Sequence, residues 1–101
     1  MKTRHYFENR NQREELISKI GDGTAIEFFY VDRQHRDGAE IHVVTDTGII
    51  IIYNYKTNRL VTKLIARPNQ IKRYYDLIGE QPPQDVLEIA ERHKMLGYNE
   101  I

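Results

Sequence analysis

The sequence predicts an α+β domain spanning residues 1–101: an N-terminal helix, a four-stranded antiparallel meander sheet and two C-terminal helices. Three observations lead there. Residues 24–66 fall into four runs rich in β-branched and aromatic residues, joined by turns too short for a crossover. The segments on either side carry apolar residues at helical spacing. The length, with 40% apolar and 30% charged side chains, suits one hydrophobic core.

The first helix places Leu16, Ile17 and Ile20 on one face, with Glu14, Glu15 and Lys19 outside it and Gly21 in a C-cap position. Gly21-Asp22-Gly23 breaks it. Thr24–Val31 is the first strand, Ala39–Thr45 the second, Gly48–Tyr55 the third and Leu60–Ala66 the fourth. The turns are polar: Asp32–Gly38, Asp46-Thr47-Gly48 and Lys56–Arg59. The third strand is apolar at successive positions, so it is expected in the sheet interior, covered on both faces. Pro68 suits the first position of a helix, and Ile71, Tyr74, Tyr75 and Ile78 share one face of it, with Gly79 as its end. Pro82-Pro83 makes a rigid joint. The last helix is Gln84–Leu96, with Val86, Ile89, Ala90, His93 and Leu96 on its apolar side and Gly97 after it.

Composition narrows the function classes. There is no cysteine, hence no disulfide framework, thiolate zinc site or cysteine nucleophile. No histidine pair has zinc-ligand spacing, no acidic run forms a calcium loop, and Ser18 is the only serine. No glycine-rich phosphate loop is present, so no cofactor and no metal are expected. No apolar run approaches a membrane span, and residues 1–5 lead into polar sequence without a signal-peptide core, so the expected setting is soluble and cytoplasmic, with no membrane partner.

The 15 basic and 15 acidic side chains cancel, yet they are segregated along the chain. Residues 1–46 carry seven basic and nine acidic groups, and residues 76–101 two and six. Residues 47–75 carry six basic groups and no carboxylate: Lys56, Arg59, Lys63, Arg67, Lys72 and Arg73. Four of the seven tyrosines, Tyr53, Tyr55, Tyr74 and Tyr75, lie in the same stretch. Cations interleaved with aromatic rings suit phosphates and unpaired bases, so RNA or single-stranded nucleic acid is the expected partner.

Strand alternation adds a candidate catalytic group. With helices packed on the opposite face and no bulges, one open sheet face collects Glu27, Glu40, His42, Lys63 and Arg67. Cleavage of RNA by its own 2′-hydroxyl needs a base, an acid and cations for the developing phosphorane charge. Glu40 or Glu27 would be the base, His42 the acid, and Lys63 with Arg67 the clamp. His5 belongs to the terminus, His35 to a loop, and His93 to a packed helix face.

The run Ile49–Tyr75, IIIIYNYKTNRLVTKLIARPNQIKRYY, resembles the C-terminal half of small RelE-like ribonuclease toxins. These place a strand ending in tyrosine, a short turn, an apolar strand, and a basic stretch closing on tyrosine. The helix-then-meander order is similar to that of the wider barnase–EndoU–colicin–RelE superfamily. The resemblance implies metal-independent RNA cleavage and points to Arg67, Arg73 and Tyr75. The chain differs in having two helices after the last strand and no net positive charge. The alternative is a non-enzymatic accessory module of a bacterium or phage. Its basic stretch and acidic last helix would then bind a protein partner or form a homodimer.

Overall fold

The structure, a computed structural model, describes residues 14–32 and 38–95. The expectations for His5, Tyr6, His35, Asp37, Leu96, Gly97 and Tyr98 lie outside the described residues. The order is the predicted one. Helix α1, described over 14–20, precedes strands β1 (Ala25–Val31), β2 (Glu40–Thr45), β3 (Ile49–Asn54) and β4 (Leu60–Ile65), and helices α2 (Pro68–Leu77) and α3 (Gln84–Met95) follow. The sheet is an antiparallel meander, β1-β2-β3-β4, with bulges at Ala25/Glu27 and Ile52/Tyr53. Among the described residues no helix is long and apolar enough to cross a membrane.

Two turns set the strand directions. At the β2–β3 turn Gly48 takes φ +79°, a left-handed conformation that L side chains resist, and a Cβ there would press on Ile89 and His93. The same turn is tied to the α1–β1 linker, since the Thr24 N–H donates to Asp46 Oδ1 (2.8 Å) and the Thr47 hydroxyl to the Gly21 carbonyl (2.9 Å). At the β3–β4 turn Asn54 Oδ1 accepts from the N–H groups of Lys56 and Thr57, both at 2.9 Å, and Asn58 takes φ 61°.

Helices cover both faces of the sheet. Ile17 of α1, with Leu16 and Ile20, packs on Val43, Ile49, Ile51 and Ile65. On the other face Ile71, Tyr74 and Tyr75 of α2 and Val86 and Ala90 of α3 pack on Phe29, Val44, Ile50 and Ile52. Strand β3 therefore alternates its isoleucines between two cores, and all four of Ile49–Ile52 are buried, as its unbroken apolar run predicts.

The expectation of an open sheet face is corrected. The face that carries Glu27, Glu40 and His42 is the one α2 and α3 cover. It attracts them because Phe29, Val44, Ile50 and Ile52 share it, and burying those four side chains outweighs the cost of covering two carboxylates and an imidazole.

Candidate nucleic-acid interface

The predicted catalytic group separates into three places. Pairing of His42 with Ile52, and of Ile52 with Thr62, sets one face. Lys63 pairs with Ile51, so it stands on the opposite face. There its ammonium donates to both oxygens of Asp22 at 2.8 Å, a half-exposed ion pair of about 0–1 kcal/mol. Arg67 lies past the end of β4 as the residue capping α2, with φ −107° and ψ 149°. It is five positions beyond Thr62, roughly 16 Å along extended chain, and is exposed. Only Glu27, Glu40 and His42 share a face, as alternation predicted.

His42 is 2% exposed. A carboxylate only accepts, so His42 Nε2–H donates to Glu40 Oε1 (2.9 Å), and Nδ1 shares a hydrogen bond of 2.5 Å with the Tyr74 hydroxyl. Tyr74 stacks on Phe29 with ring centroids 5.1 Å apart. Tyr75 meets the same Phe29 edge-on at 5.1 Å and is itself buried. Burial raises the Tyr75 hydroxyl above its ordinary pKa, and the carboxylates of Glu27 and Glu80 push the same way. Sequence reasoning placed Tyr75 on a binding surface. It serves instead as an anchor of α2, as the i, i+3, i+4 spacing with Ile71 and Tyr74 also implied.

This buried chain, Glu40–His42–Tyr74, joins β2 to α2. Its chemical role is to satisfy polar groups that would otherwise be costly under the helix. Tyr74→Phe keeps the ring but removes the hydroxyl that meets His42 Nδ1. It is expected to lower stability by about 1–3 kcal/mol. In a double-mutant cycle with His42→Leu, the two losses are expected to sum to more than the double variant loses. Strict additivity in urea unfolding would show that the contact contributes nothing.

Fixing the inner face of α2 fixes its outer face. Lys72 and Arg73, flanked by the buried Ile71 and Tyr74, point to solvent. They line a cleft of about 780 Å³ together with Arg67, Pro68, Asn69 and Gln70 of the first turns of α2 and Glu91 and Lys94 of α3. Four cations thus face one carboxylate. The first turn of α2 carries no acidic residue and no side-chain cap, so its N–H groups and the positive end of its dipole add to the field. Lys94 is the member that sequence reasoning missed, since it lies outside residues 47–75. Its spacing, four residues after Ala90 on the face toward α2, was the available signal. Lys56 and Arg59 belong to the exposed β3–β4 turn and do not line the cleft.

His93, one residue before Lys94, is buried against Gly48 beside Ile89, on the packed side of the helix where its position predicted it. Burial pushes its imidazole below the ordinary value, and the neighbouring Arg92 adds to the effect. In the unfolded chain the ring protonates near pH 6.5. Its contribution to stability is therefore present above that pH and is lost as the pH falls, because the unfolded state then binds the extra proton. Urea midpoints of wild type and His93→Gln are expected to show wild type losing ground between pH 7.5 and about 5.5. A difference independent of pH would contradict this.

Among the described residues no cluster of histidine, aspartate and glutamate could hold a metal ion. Comparison of the chain with family models, with curated proteins and with solved structures finds no match. The fold is an α+β domain whose meander sheet is covered by helices on both faces.

Proposed function

We propose that the chain binds a nucleic-acid strand through its phosphates, in the cleft between the start of α2 and the end of α3. The observation that supports it is the set of Arg67, Lys72, Arg73 and Lys94 around one carboxylate, Glu91. Asn69 and Gln70 add neutral donors. The lining holds no aromatic ring, which favours backbone contacts over base stacking. Cleavage is a separate matter. The ribonuclease resemblance requires a proton donor beside the phosphate, whereas His42 lies under α2 and the cleft offers no imidazole.

The test is titration of a labelled single-stranded RNA, followed by anisotropy, at about 50 and 200 mM salt. Three to four neutralised phosphates give a slope of log affinity against log salt of roughly −2 to −3. Absence of binding at the lower salt, or binding that ignores salt, would refute the proposal.

A further inference from the structure

We propose that two copies of the chain dimerise by antiparallel pairing of their β1 strands about a two-fold axis at Phe29, making one eight-stranded sheet. Strand β1 is an edge, with β2 as its single neighbour among the described residues. Its residues, AIEFFYV, include no lysine and no proline, and its bulge, at Ala25/Glu27, lies before the Phe28–Tyr30 stretch that the pairing uses. The opposite edge, β4, does carry a guarding lysine, Lys63, held by Asp22.

Backbone direction selects the pairing. The Tyr55 N–H donates to the Ala39 carbonyl, and the Asp46 N–H to the Thr24 carbonyl. Odd positions of β2 therefore turn toward β3 and even positions toward β1. Glu40, His42 and Val44 face Val31, Phe29 and Glu27 across the ladder, so these three β1 residues spend their polar groups inside the sheet. The N–H and C=O groups of Phe28 and Tyr30 then point outward. A two-fold axis at Phe29 sets Phe28 opposite Tyr30 of a second copy, and Tyr30 opposite Phe28. Both are hydrogen-bonded pairs, so all four outward groups of each strand find partners.

The side chains agree. Phe28 and Tyr30 are 62% and 58% exposed, large apolar groups on a strand facing water. Tyr30 already leans edge-on against Tyr55. The two-fold places aromatic against aromatic twice, a favourable cross-strand pairing. No like charges stand opposite each other, since Glu27 meets Val31 and Asp32 meets Ile26 of the second copy. A second copy supplies both the hydrogen-bond spacing and the aromatic complement that this edge needs. None of these residues lines the basic cleft, so the proposal stands apart from nucleic-acid binding.

The experiment is sedimentation equilibrium of the full chain and of two double variants at these exposed positions. Wild type is expected to dimerise. Phe28→Lys with Tyr30→Lys sets lysine against lysine twice and is expected to weaken the dimer on the order of 100-fold or more, with unchanged circular dichroism. Phe28→Glu with Tyr30→Lys sets glutamate against lysine twice and is expected to restore it. The chain has no cysteine, so a mixture of single variants Phe28→Cys and Tyr30→Cys reports the register. Their Cα atoms would lie about 5.5 Å apart, within disulfide reach, and the mixture is expected to cross-link more than either variant alone. A monomeric wild type, or a dimer equally tight in the double-lysine variant, would overturn the proposal. So would failure of the glutamate–lysine variant to associate.

Discussion

Replacing Lys72, Arg73 and Lys94 together by glutamate is expected to abolish binding of single-stranded RNA, a loss of roughly 100-fold or more at low salt. The three residues supply most of the positive charge of the cleft, and the substitution leaves Glu91 among three further carboxylates. All three are exposed, so the fold should survive, with the circular dichroism spectrum and urea midpoint close to wild type. Lys63→Glu is the matched control. It is one charge reversal within the same carboxylate-free stretch, but it lies on the α1 face beside Asp22. Its effect on RNA affinity is expected to stay within a few-fold. Equal losses from Lys63→Glu and from Lys72→Glu alone, each one charge reversal, would mean that net charge, and not the cleft, governs binding.

The largest stability effects are expected at β3. Ile50 and Ile51 are adjacent in the chain and buried in different cores, Ile50 under α2 and α3, Ile51 under α1. Truncating either to alanine removes three buried carbons and leaves a cavity, costing about 2–5 kcal/mol. Comparable losses at both positions follow only if both layers are closed. A loss under about 0.5 kcal/mol at Ile51 would mean that α1 leaves its side of the sheet open.

The element order was legible because each element carries its own signal. The apolar run of β3, the tight turns, Pro68 and the Ile71–Tyr74–Tyr75 spacing need no tertiary information. The site was only partly legible, because alternation sorts side chains into two sets without saying which set a helix will cover. On β1 and β2 one set is mixed: Glu27, Glu40 and His42 alongside Phe29, Val31 and Val44. It reads as a wet face. It is buried because Phe29, Val44, Ile50 and Ile52 draw α2 and α3 onto it; Tyr74, arriving from α2, then gives the His42 ring a hydroxyl partner, and no property of β2 itself reveals that partner. The placement of Lys63 depended on register. The β3–β4 turn sets Lys63 against Ile51, and a shift of one residue would have moved it to the His42 face. The basic stretch was visible as composition, but it divides in space. Lys56 and Arg59 go to one turn, Lys63 to the α1 face, and Arg67, Lys72 and Arg73 to the cleft, where Lys94 joins from a segment that is acidic overall.

The cleft is tested most directly by the footprint of a short oligouridylate on the backbone amide resonances of the chain. The expected result is chemical-shift change concentrated in residues 67–73 and 91–94 and reduced at higher salt, with the amides of Phe28, Tyr30 and Lys63 unmoved. Shifts centred on Lys56–Lys63, or no shifts at all at low salt, would contradict the assignment of this cleft as a nucleic-acid interface.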